Sequence, residues 1–386
     1  METTPMTQLV LHIGDPKTGS SSIQTVLYEQ RLSCQTKCLV SPREFSEAKL
    51  AATLHKPARR KDRAAQMKAK AQWLAEVDAD IAVLSAEQFC NVEPRVLHNA
   101  LSNRMPEHAE GARIIAYVRP HHGRFVSSYA QKTKCGVISR SPEKYHKRSL
   151  KRGFFTYFDR FSRWRDVFGE RFVLRPMVRS ELKSGDLTQD FFDVVLDGAQ
   201  FEIDAPQRVN EALNLQQLAC VRVIQTVLRE KEIDSQMRVA VGSFFGLALN
   251  DGTPKSPESA IEIHRALAEE IAQDYAEDAK RLDDMFFAKP ILQTALENAV
   301  QNAVASEQGH DLAAHTSVDK ENMLVESAKT LAEALRKDGK IWKNMRLSSI
   351  GQQPQALLNT DEEKASAANV QRVLDKLVDQ IKDIGA

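Results

Sequence analysis

The residues best able to do chemistry lie in one early run, LVLHIGDPKTGSSSIQ, from Leu9 to Gln24. Leu9 to Ile13 is apolar and reads as a strand, and Gly14, Asp15 and Pro16 then force a turn that carries Lys17 and Gly19. Ser20, Ser21 and Ser22 open a helix expected to continue through Tyr28. A strand that feeds a small-residue loop onto a helix N-terminus gathers several free N–H groups at one point. The helix dipole adds to their attraction for an anion. With Lys17 in the loop, the expected guest is a phosphate-like group.

A second run has the same logic. Ala112 to Val118 is a short apolar strand followed by Arg119, Pro120 and the segment HHGRFVSSYAQK. Pro120 suits the first turn of a helix, where its missing N–H costs nothing. On that helix Arg124, Ser127, Ser128 and Gln131 share one face, with Phe125 and Tyr129 on another. A cation at the strand end and a hydroxyl two turns on, Arg119 and Ser127, can converge on one anion. Read alone, each run also fits a plainer role: a Gly/Ser-rich strand-to-helix turn, a surface ion pair, a solvated helix serine.

Spacing separates the first run from the ordinary P-loop, which has Gly, four residues, then Gly-Lys-Ser/Thr. Gly14 and Gly19 keep that separation, but Ser20 stands where the Lys belongs and Lys17 has moved into the loop. The order Pro-Lys-Thr-Gly-Ser-Ser resembles the 5′-phosphosulfate loop of sulfotransferases that use 3′-phosphoadenosine 5′-phosphosulfate (PAPS). Members of that family place an Arg, and eight residues later a Ser, on the 3′-phosphate; Arg119 and Ser127 have that separation. The stretch GERFVLRPMVRSELKSGDLTQDFFDVV is similar to the strand and trailing helix that follow in bacterial-type members. The likeness spans approximately residues 8–215.

The resemblance implies in-line transfer of a sulfuryl group from PAPS to a hydroxyl-bearing acceptor, a small molecule or a glycan, without a metal. It puts Lys17 beside the bridging oxygen. Thr18, Gly19, Ser20, Ser21 and Ser22 go to the 5′-phosphate, and Arg119 and Ser127 to the 3′-phosphate. An acceptor hydroxyl needs a general base. Glu87 emerges just after the apolar strand Ile81–Leu84, where the family supplies one, and His12 on the first strand is the second candidate. Each has a bland counterpart, a loop carboxylate and a hydrogen-bonded core imidazole. A P-loop kinase, and a non-catalytic nucleotide-binding module whose helical part recruits partners, are the competing functions.

Composition limits partners only weakly. The 386 residues carry 53 Lys plus Arg against 52 Asp plus Glu, so overall charge selects none. Basic residues concentrate in Lys56–Lys70 and Arg119–Arg152, which suits an anionic cosubstrate, although Lys56–Lys70 reads equally as solvated helix faces and loops; no motif supports nucleic-acid binding. Five cysteines with no CxxC pair argue for free thiols in a reducing compartment. Cys34 and Cys38 have no nearby His to complete a zinc site. No apolar run reaches membrane-spanning length. Animal Golgi members of the family carry an anchor, so a cytoplasmic, bacterial-style protein without membrane partners is expected.

The elements that must position these residues follow from hydrophobic pattern. Residues 8–13, 80–84, 112–118 and 171–175 read as buried strands separated by helical segments. That alternation predicts an α/β fold, a mostly parallel sheet flanked by helices on both faces, with ligands beyond the carboxyl ends of the strands. Residues 1–215 are expected to form the nucleotide-binding core, and 216–386 a helical region packed on it. Helical pattern recurs near 211–230, 257–285, 290–305, 319–337 and 361–383, with linkers at 306–318 and 345–362. The stripe Phe154, Tyr157, Phe158, Phe161, Trp164 is expected to be one core-facing helix. The stripe Val370, Val373, Leu374, Leu377, Val378, Ile381 should dock within its own domain.

Overall fold

The computed structural model describes residues 6–204, 213–250, 260–349 and 360–385. Among the described residues the strands are β1 (Gln8–His12), β2 (Leu32–Cys34), β3 (Leu39–Val40), β4 (Ile81–Ser85), β5 (Arg113–Val118), β6 (Phe172–Pro176) and β7 (Phe201–Ile203). Five of them form a wholly parallel sheet in the order β3-β4-β1-β5-β6, while β2 and β7 pair antiparallel. The four long strands fall within a residue of their expected positions: β1, β4 and β5 are buried on both faces and read as apolar runs, while β6, at the sheet edge, alternates buried and half-buried residues. The two- and three-residue strands carry no such signal.

Along β1, Val10 joins Ile23, Val26, Leu27, Phe191 and Phe192 in a buried cluster, so the Ser20–Tyr28 and Leu187–Val195 helices cover one face of the sheet. The order of the sheet fixes where ligands can enter. The chain leaves β1 for β3 and β4 on one side, then crosses to β5 and β6 on the other. Loops after neighbouring strands therefore part at the carboxyl end of β1, the switch point at which parallel sheets bind ligands.

The chain divides into two compact, interleaved units rather than at residue 215. The first comprises residues 1–124, 155–206 and 274–298, and the second 125–154, 207–273 and 299–386. One division falls inside the His121–Lys134 helix. The second unit is helical. Its buried cluster joins Val221, Ile224 and Leu228 to Phe245, Leu331, Leu335, Trp342, Val370, Leu374, Leu377 and Ile381. The C-terminal stripe is thus docked within its own unit. The Val318–Ser349 helix runs past the expected linker start at 345, and residues 350–359 of that linker lie outside the described residues. The Ser235–Ala248 helix was not legible in the sequence pattern.

Two expectations need correction. The aromatic stripe is not one helix: the helix starts at Phe158, and Phe154 lies outside it, exposed, after Gly153 at φ 61°. Asp278 sets the start by accepting hydrogen bonds from Tyr157 N–H (2.9 Å) and Phe158 N–H (3.0 Å). Nor is Lys56–Lys70 a uniform solvated run. Lys70 is buried on Glu47 at 2.6 Å, and Arg63 donates to the Thr53 and Leu54 carbonyls at the end of the Ala48–His55 helix. Among the described residues no helix is long and apolar enough to cross a membrane.

Candidate anion-binding site

The loop after β1 is built around a tight turn over residues 15–18. Thr18 N–H donates to the Asp15 carbonyl at 3.2 Å, the Thr18 hydroxyl donates to the same oxygen at 2.6 Å, and Asp15 N–H donates back to that hydroxyl at 3.2 Å. Pro16 then occupies the second turn position and Lys17, at φ 68°, the third. That is the pattern of a type II turn, in which the third position favours glycine. Thr18, 1% exposed, turns both its N–H and its hydroxyl onto the Asp15 carbonyl and so closes this turn.

The helix that follows starts without a cap. Gly19 holds the N-cap position at φ 76°, no side chain caps it, and no acidic residue stands in the first turn. Ser22 N–H bonds the Gly19 carbonyl at 3.0 Å, whereas the amides of Gly19, Ser20 and Ser21 take part in no backbone hydrogen bond. The Ser20 hydroxyl is buried and has no hydrogen-bond partner. An uncapped helix N-terminus with an orphaned hydroxyl and a neighbouring lysine is arranged to receive an anion. Both glycines are needed for shape. A side chain on Gly14 would meet Ser20 Oγ at 2.5 Å and Glu87 Cα at 3.0 Å, and one on Gly19 would strike Leu187.

The loops after β4 and β5 close on this turn within the first unit. Arg119 donates from Nη1 to the Lys17 carbonyl at 3.3 Å, so the two expected anion-binding cations are neighbours. Burial, with Arg124 nearby, pulls the Arg119 guanidinium below its usual range. Ser127, half-buried, stands two turns along the same helix in the part assigned to the second unit. Glu87 follows β4; burial raises its carboxyl above the ordinary range against the opposing pull of Lys17, and Asp15 adds to the rise. A carboxylate in that state is a better proton acceptor than a solvated one.

His12 has a different setting. It is fully buried on β1, its Nδ1 lies 2.8 Å from Ser85 Oγ, and Phe191 packs at 5.1 Å. Burial pushes its imidazole down to about 3, so it is neutral through the physiological range. Its Nε2 has no partner.

Two residues outside the expected set belong to the same cluster. Asp15 is buried between Arg124 and Arg160, and neither pairing can be read from sequence because Arg160 lies on a different helix. Cys90 senses Asp15, Arg160 and Glu87, and burial raises its thiol to about 12, which keeps it protonated.

In the second unit Glu143, His264 and Glu307 approach one another closely enough to suggest a metal. Leu267 N–H donates to His264 Nδ1 at 3.3 Å, which puts the ring proton on Nε2, facing Glu143 at 3.1 Å. A nitrogen carrying its proton toward a carboxylate is a donor, not a ligand. The imidazole caps the Arg265–Phe286 helix instead.

No family model matches the chain, and no curated protein matches it. Among solved structures it is similar to a sulfotransferase from Alicyclobacillus acidocaldarius, with 15% identity and a TM-score of 0.38 over 74% of this chain and 98% of that one.

Proposed function

We propose that this chain is a PAPS-dependent sulfotransferase acting on a hydroxyl-bearing acceptor. The observation that carries the reading is the loop itself: Lys17 held in a left-handed turn position beside an uncapped helix N-terminus, with Arg119 bonded to its carbonyl. Bound there, PAPS would supply a sulfuryl group on a phosphate leaving group.

The chain's own residues then divide the work. The amides of Gly19, Ser20 and Ser21 and the orphaned Ser20 hydroxyl hold the 5′-phosphate. Lys17 stabilises charge that develops on the departing phosphate oxygen, the point at which a preorganised cation lowers the barrier most. Arg119, with Ser127 at the family's spacing, takes the 3′-phosphate and so prefers PAPS over ATP. Glu87 accepts the proton of the acceptor hydroxyl as the new S–O bond forms. The P-loop kinase alternative has no such support, since Ser20 stands in place of its lysine.

Calorimetric titration of adenosine 3′,5′-bisphosphate, beside magnesium ATP, tests the reading. Binding of the bisphosphate without competition from magnesium ATP is expected, together with its release from PAPS when an acceptor extract is added. Magnesium-dependent ATP turnover with no response to the bisphosphate overturns it.

A further inference from the structure

A carboxylate is an unexpected side chain in a loop that presents an anion site, and Asp15 is 1% exposed. It lies 2.7 Å from Arg160 Nη2 and 3.4 Å from Arg124 Nε. Arg124 comes from the first turn of the His121–Lys134 helix and lies over the Phe155 ring at 5.5 Å. Arg160 comes from the first turn of the Phe158–Phe168 helix and lies over the Phe161 ring at 4.7 Å. Each guanidinium is therefore fixed by an aromatic face as well as by charge. The main chain of Asp15 is committed too, since both of its polar groups bond Thr18. Arg119, five residues before Arg124, grips the Lys17 carbonyl. The loop is thus held at residues 15 and 17 by two arginines of one segment, and at residue 15 by a third from another helix.

We propose that Asp15 is a positioning residue. Its carboxylate draws the loop onto Arg124 and Arg160, so that Lys17 keeps its left-handed conformation and the amides of Gly19, Ser20 and Ser21 stay convergent. For its ligand readout this rests on the sulfotransferase reading above. Its sign is informative. By charge alone, removing a carboxylate beside an anion site and releasing two arginines tightens anion binding. If the loop depends on that carboxylate for shape, the same substitution weakens it.

The test is calorimetry of adenosine 3′,5′-bisphosphate with the wild-type protein, Asp15→Asn and Arg160→Lys, run beside amide hydrogen exchange of the nucleotide-free proteins. Asp15→Asn should weaken binding by about tenfold or more, the scale of loss that follows small misplacements of a binding group. It should also speed exchange of residues 17–22. Arg160→Lys keeps the charge but loses the planar fork, and should show the same changes to a smaller degree. Unchanged or tighter binding by Asp15→Asn, or unchanged exchange over residues 17–22, overturns the proposal. If Asp15→Asn does not fold, Arg160→Lys decides by the same two readouts. A wild-type protein that ignores the nucleotide refutes the functional reading, and the exchange measurement still decides the role of Asp15.

Discussion

Lys17 stands where its turn would rather have glycine, and that conflict makes an unusual stability order testable. At φ 68° any side chain with a Cβ pays the left-handed penalty. That penalty is about 1–2 kcal/mol, and the extra freedom of glycine in the unfolded chain returns about 0.4–1 kcal/mol of it. Lys17→Gly should therefore be more stable than Lys17→Ala by about 1 kcal/mol, the reverse of the order at an ordinary position. The hydrogen bond from Arg119 goes to the main-chain carbonyl and survives in both variants. Both lack the ammonium, so both should lose sulfuryl transfer by about 100-fold or more while keeping most bisphosphate affinity.

Urea unfolding followed by circular dichroism gives the first comparison, and bisphosphate release from PAPS the second. An alanine variant as stable as the glycine variant would refute the claim that function holds Lys17 in a strained conformation. Full transfer by either variant would refute the role given to its ammonium.

Glu87 predicts a pH dependence. Its carboxyl is raised by burial, so transfer should rise with pH along an acid limb lying above the ordinary glutamate range. His12, held neutral down to about 3, does not titrate in that window. Glu87→Gln should remove the limb and lower kcat; a limb that persists assigns the base elsewhere. The same burial has a stability consequence. A raised carboxyl binds its proton more tightly when folded, so its ionisation costs stability as pH rises through the folded value. Glu87→Gln should therefore unfold at higher urea than wild type at neutral pH. Away from the site, Lys70→Met leaves Glu47 buried without its partner and should cost about 3–5 kcal/mol, most of it recovered on adding Glu47→Leu. Urea unfolding of the single and double variants checks this, and equal stabilities would refute it.

Strands β1, β4 and β5 were legible because strands covered on both faces announce themselves as apolar runs, and the Ser20–Tyr28 helix because three serines follow a Gly-bearing turn. What escaped had physical reasons. The Ser235–Ala248 helix carries Gly242 and Gly246, which blur its periodicity; it forms because Asp234 caps it at Met237 N–H and because Gly242 lets it lie against the Lys134 carbonyl. The division into units escaped because it returns to the first unit twice. In the site, Lys17, Gly19, Ser20 and Arg119 could be named from spacing, since local sequence sets a turn and a helix start. Asp15 with Arg160 could not: 145 positions separate them, and only packing of the Phe158–Phe168 helix joins them.

In the loop after β1, local rules are broken at adjoining residues. A buried carboxylate sits at Asp15, and a lysine takes a left-handed turn position at Lys17. A helix begins uncapped at Gly19, and a buried hydroxyl goes unsatisfied at Ser20. The Leu187–Val195 and Pro142–Lys151 helices begin with a side-chain cap, Asp186 and Ser141 accepting first-turn amides. The Ala48–His55 and Pro94–Arg104 helices begin without one, so what sets the Gly19 end apart is the orphaned Ser20 hydroxyl beside the bare amides. Departures of this kind concentrate where function requires them. An anion would satisfy two of them at once: it would accept from the bare amides and from the Ser20 hydroxyl, beside the Lys17 ammonium.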